Sequence, residues 1–194
     1  MLHACCGPCL LEPYDQLAAA HEVRVVYANP NIHPLAEYER RRDTLLEYAR
    51  ARGIETDVLP YRPQDWDAAV HGLEAASPSR CRACFRLRLG MAARHAAAKG
   101  FDAVATTLTV SPYQDPELIC SAGQEACAAE GVEFLVTDFR DRYPAAVRRS
   151  RELGMYRQNF CGCRYSAIEA AETRELRRVE RAGRRPQPEG RARS

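Results

Sequence analysis

Apolar residues along this chain alternate between two rhythms. Short valine- and leucine-rich runs are each followed by a stretch whose apolar positions fall three or four apart, the signature of strand followed by helix. Residues 2–4 read as the end of a first strand, after which Leu10, Leu11, Tyr14, Leu17 and Ala18 repeat at helical spacing. Pro8 suits the first turn of that helix, where its absent N–H is not missed. Residues 22–28 form a second strand, and residues 35–52 a helix with Tyr38, Leu45, Leu46 and Ala49 on one face, ended by Gly53. A third strand follows at 55–61, a short helix carrying Trp66 at 65–72, and a long alanine-rich helix at 81–99, stopped by Gly100. Residues 101–107 and 132–137 are the fourth and fifth strands, with a helix at 116–130 between them. Helices at 144–153 and 166–181 close the series.

This order predicts an α/β fold: a parallel sheet with helices on both faces. In such folds the site lies beyond the carboxyl ends of the strands. Residues 5–9, 29–34, 111–113 and 138–143 all follow strands and are expected to share one rim. Residues 1–182 are expected to form a single domain. Residues 183–194, with two prolines, two glycines and four arginines, read as a disordered basic tail.

A chain of 194 residues is long enough for one ordinary core. Its net charge of +2 hides a basic excess toward the end, and Lys99 is the only lysine. Arginine suits flat, bidentate and phosphate contacts, although genome composition accounts for the bias equally well. No basic leader with an apolar core is visible, and no run of about 20 apolar residues is present to span a membrane. A cytoplasmic setting without membrane contact is expected. There, clustered thiols signal metal or redox chemistry rather than disulfides, and nine cysteines is an odd number.

Seven of those cysteines fall in three clusters: Cys5, Cys6 and Cys9; Cys81 and Cys84; Cys161 and Cys163. The first sits at a strand-to-helix turn, where free amide groups favour the thiolate. A two-residue spacing lets Cys6 and Cys9, or Cys81 and Cys84, reach one metal. Zinc and iron–sulfur sites both use it, and spacing alone does not separate them. Seven thiols exceed what one tetrahedral zinc can use, which favours iron–sulfur. Cys120 and Cys127 lie seven apart on the apolar face of a helix and read as structural. No phosphate-loop, dinucleotide or serine-hydrolase motif competes. Asp138, Arg140 and Tyr143 offer carboxylate, guanidinium and phenol after the fifth strand. His33 stands in a rim loop as a candidate ligand or acid.

The segments LHACCGPC, YANPNIHPLAEYERR, SRCRACFRLRL, TTLTVSPY, TDFRDRY and YRQNFCGCRYS occur in that order. Together they resemble the cobalamin-independent epoxyqueuosine reductases of the QueH family, over residues 2–166. The resemblance implies a nucleotide-hydrolase-like (HUP-like) fold with a cysteine turn in place of a pyrophosphate loop. It implies a [4Fe–4S] cluster with an additional mononuclear iron, and reduction of epoxyqueuosine to queuosine at the wobble position of tRNAs with GUN anticodons, fed by an external electron donor. The motif cysteines carry over to Cys5, Cys6, Cys9, Cys81, Cys84, Cys161 and Cys163. Asp138 matches an aspartate of the family and is expected to be an oxygen ligand or acid, with Tyr143 a second acid candidate. Asn29, His33, Tyr113, Arg140, Tyr156 and Arg157 are the expected substrate and tRNA contacts. A zinc-stabilised RNA-binding module and an iron–sulfur electron-transfer protein are the alternatives from other classes.

Overall fold

The computed structural model describes residues 1–183. Beyond Gly183, the segment expected to be a disordered tail lies outside the described residues. Five strands form one sheet: β1 (Leu2–His3), β2 (Val25–Tyr27), β3 (Thr56–Val58), β4 (Ala103–Thr106) and β5 (Glu133–Phe134). Their spatial order is β3-β2-β1-β4-β5, and every pairing is parallel. Among the described residues seven α-helices surround them: α1 (Gly7–Ala18), α2 (Leu35–Ala51), α3 (Pro63–Ala69), α4 (Ser77–Ala98), α5 (Pro116–Ala128), α6 (Tyr143–Glu152) and α7 (Arg164–Gly183).

Alternation along β2 explains the layering. Val25 and Tyr27 point to one side and join Leu10, Leu11, Tyr38, Leu45 and Ala146 from α1, α2 and α6. Val26 points to the other side and joins Phe85, Leu89, Ala92, Ile119 and Ala122 from α4 and α5. This is the period-two geometry of a strand buried on both faces. Each fully buried leucine there stabilises the fold by about 1.5–3 kcal/mol relative to exposure. Alanines and Gly123 let α5 approach closely: a Cβ at Gly123 would stand 2.5 Å from the Phe134 ring. Cys127 is fully buried in this layer, as its spacing predicts.

The strands are shorter than the apolar runs that contain them. β1 offers only two residues, so β2 and β4 register on it only at Val25–Val26 and Ala105–Thr106. β5 pairs only at Ala103 and Val104, leaving Leu135 to Thr137 as extended chain. Helix α4 begins four residues earlier than expected, because Pro78 falls in its first turn, where proline is compatible with a helix. Cys81 therefore lies one turn inside the helix. With Cys84 and Arg88 it follows the i, i+3, i+7 spacing of one face.

Strand order reverses between β1 and β4. That is the switch point at which open α/β sheets bind their ligands, and the first cysteine turn emerges there. Among the described residues no helix is long and apolar enough to cross a membrane.

Candidate metal centre

The turn after β1 fixes the first thiol group through its backbone. Cys6 is the extended N-cap residue of α1, and Pro8 occupies the first turn. The Cys5 N–H donates to Thr107 Oγ1 (3.2 Å), and the Thr107 hydroxyl lies 3.6 Å from Cys5 Sγ. Behind it, His3 contacts Thr106 Oγ1 (2.9 Å) and the Ala28 carbonyl (3.3 Å). The sulfurs of Cys5, Cys6 and Cys9 all lie within 4.8 Å of one another, the only such group of three or more Cys, His, Asp or Glu ligands among the described residues. Hydrogen bonds from the Cys6 and Cys9 thiols hold Cys5 well below the ordinary thiol range, and Arg88 and Thr107 add to this against the cost of burial. Burial and Cys5 push Cys6 up to about 12, and bonding to Cys5 and Cys6 raises Cys9. The hydrogen bonds among the three thiols thus favour the thiolate at Cys5 alone. Gln158 Nε2 also donates to Cys6 Sγ (2.8 Å).

The second group draws on distant segments. Cys81 and Cys84 come from α4, and Cys161 and Cys163 from the approach to α7. Cys84 and Cys163 pack with Trp66 and Val70. Burial raises Cys81 and Cys84, while Arg88 opposes the rise at Cys84. Cys161 is pushed up to about 12 by burial and then by Cys84, again against Arg88. The loop that carries this pair is clamped. Buried Arg41 donates to the Cys161 carbonyl (2.9 Å) and the Phe160 carbonyl (3.3 Å), and its Nε donates to Glu37 Oε1 (2.7 Å). Gly162 adopts φ 124°, and a Cβ there would stand 3.0 Å from Arg41 Nη1. Only glycine combines that backbone with that approach. On the other flank Arg80 pairs with Glu169 of α7 (2.5 Å).

Tyr143 and Arg157 line a cleft of about 70 Å³ beside Cys9, with Pro8, Ser150 and Gln158. Burial, and then Tyr113, raise the Tyr143 phenol. The two rings meet edge to face at 6.2 Å, and Tyr113 is 78% exposed. Asp138 is exposed and does not join the sulfur group. The Arg140 guanidinium bonds both its oxygens at 2.9 Å, and that contact holds its carboxyl below the usual range. Tyr156 donates to Glu37 Oε2 (2.7 Å) beneath the Arg40 guanidinium. His33 packs on Trp66 (ring centroids 5.4 Å), and burial and then Arg164 lower its pKa. Asn29 is buried and engaged at both ends, donating to the Ala4 carbonyl (2.9 Å) and accepting from Arg88 (2.6 Å). Arg41, Arg88 and Gln158 are absent from the sequence reading. The signal for Arg88 was its spacing from Cys81 and Cys84. Arg41 sits inside a run of three arginines and carries none.

The donor set fits a thiolate-bound metal group: three sulfurs already converge, the other four lie near one another, and a buried guanidinium stands beside Cys5, Cys84 and Cys161. A five-stranded parallel sheet whose switch point carries thiols defines a nucleotide-hydrolase-like α/β protein adapted to sulfur chemistry. Over residues 1–169 the chain matches the family described as epoxyqueuosine reductase QueH. Relatives of that name include one from Dehalococcoides mccartyi, 35% identical over 87% of this chain and 92% of its own. Another is from Thermotoga maritima, 32% identical over 89% and 92%. A third, from Streptococcus pyogenes serotype M1, is 33% identical over 86% and 69%. The chain belongs to the QueH family of epoxyqueuosine reductases and is an oxidoreductase.

Proposed function

We propose that the chain reduces epoxyqueuosine to queuosine at the wobble position of tRNAs with GUN anticodons, in the cytoplasm. The observation that carries this reading is the convergence of Cys5, Cys6 and Cys9 within 4.8 Å at the switch point of a chain in this family. Deoxygenation breaks both C–O bonds of the epoxide, forms the alkene, and releases the oxygen as water. It consumes two electrons and two protons. The electrons come from an external low-potential one-electron donor. The seven cysteines would hold a [4Fe–4S] cluster and an additional mononuclear iron, with Asp138 the oxygen ligand for the latter. When bound, such centres supply electrons singly and Lewis acidity toward an oxygen atom.

The residues around the thiols divide the remaining work. Tyr143 keeps its proton at neutral pH and offers it into the cleft beside Cys9. Asp138 stays ionised beside Arg140, which suits it to ligation better than to proton donation. A wobble base lifted out of the anticodon stack needs flat partners. Tyr113, Tyr156 and the Arg157 guanidinium would supply those partners, and Arg140 would meet phosphate. His33 borders the second thiol group. Asn29 secures the cysteine turn from behind.

The test is nucleoside analysis of tRNA treated with anaerobic, iron-reconstituted protein and a low-potential reductant, without cobalamin. Conversion of epoxyqueuosine to queuosine supports the reading. An untouched epoxide in the presence of iron-loaded protein overturns it.

A further inference from the structure

Arg88 is 1% exposed, and only one of its three nitrogens has an oxygen partner: Nη2 donates to Asn29 Oδ1 at 2.6 Å, while the Cys84 thiol stands close enough to the guanidinium to interact with it. Nε and Nη1 are buried without a partner. Asn29 in turn donates to the Ala4 carbonyl, one residue before Cys5. The side chain is thus tied to the root of the first thiol group, while its own helix carries Cys84 one turn earlier. A buried guanidinium cannot shed its charge. Leaving two of its donors empty is costly unless an anion completes the site. No carboxylate does so. The ionisable groups that reach Arg88 are the thiols of Cys84, Cys161 and Cys5, members of both groups, and any metal bound there would turn them into thiolates. The tie to Asn29 needs only a neutral donor and does not explain the charge.

We propose that Arg88 is the internal counter-ion of the iron–sulfur assembly, donating Nε–H and Nη1–H to its sulfurs and thereby setting its reduction potential and its hold on iron. This rests on the iron–sulfur reading above. A fixed positive charge stabilises the more negative, reduced state of a buried centre and so raises its potential. Arg88 is a positioning residue in this role, since it acts on the reaction only through the sulfurs.

The experiment compares wild type, Arg88→Gln and Arg88→Lys after anaerobic reconstitution. It reads the midpoint potential by redox titration and the rate at which a chelator strips iron. Arg88→Gln should shift the potential to more negative values and lose iron at least tenfold faster. Arg88→Lys, which keeps the charge without the planar fork, should stay nearer wild type in potential. Unchanged potential and iron retention in Arg88→Gln overturn the proposal, as does an equal shift in both variants. If Arg88→Gln fails to fold by circular dichroism, Arg88→Lys decides: a retained centre supports the proposal and a lost one overturns it. Wild type that binds no iron–sulfur centre overturns the functional reading and this one with it. A loaded wild type with an indifferent Arg88→Gln overturns this one alone.

Discussion

The two thiol groups are built on opposite principles. Cys5, Cys6 and Cys9 lie within five residues on one strand-to-helix turn, and a short backbone geometry brings their sulfurs together. Cys81, Cys84, Cys161 and Cys163 come from segments some eighty residues apart. Helices α2, α4 and α7 hold them, through Arg41 and Arg80. The first group converges through its own turn, braced by Thr107 and Gln158 from distant segments. The second needs the whole domain. Local geometry therefore brings one set of ligands together, while the other is assembled by long-range clamps.

Substitutions that separate the groups sharpen the contrast. Cys6→Ser strikes the convergent set directly. It should cost activity at least about 100-fold, since even groups that only support ligands are worth about 10–100-fold, and iron analysis should find a smaller load per chain. Arg41→Met should destabilise the fold by about 3–5 kcal/mol in urea titration, because it leaves Glu37 and two carbonyls facing an apolar chain. Much of the second group's iron should go with it. Gly162→Ala imposes a side chain on a left-handed backbone beside Arg41, at a cost of about 1–3 kcal/mol, and should weaken the second group while the Cys5 turn keeps its geometry. Asp138→Ala should change stability by no more than about 0.5 kcal/mol, since its exposed pair with Arg140 is worth little. The visible absorption of the loaded protein should persist while turnover falls. Full turnover in that variant would remove Asp138 from the site.

Much of this was legible in the sequence because it is encoded locally. Strand–helix alternation, the five strands and the three cysteine stretches are periodic or adjacent features. The three thiols of the Cys5 turn are neighbours in sequence, although Thr107 and Gln158, which brace them, are not. Strand lengths were overestimated because apolar runs continue past the residues that find a partner: Val132 to Thr137 reads as a strand, yet only Glu133 and Phe134 pair. Arg41 and Arg88 were not legible as site residues. A buried arginine and a solvated one look alike on a helix until the opposite wall is known. Asn29 read as a rim residue because it follows a strand, yet it is buried and accepts from Arg88, 59 positions away.

The Arg41 clamp has a consequence for biosynthesis. It joins residues 120 positions apart, and the carbonyls it grips belong to the stretch that delivers the last two thiols. A chain emerging from the ribosome presents Cys5, Cys6 and Cys9 first, before the Thr107 and Gln158 that brace them, and then Cys81 and Cys84 before Cys161 and Cys163. The full set of seven exists only after the final quarter of the chain has been synthesised and docked on α2. The proposed assembly, if it draws on all seven thiols, can therefore be completed only after this docking.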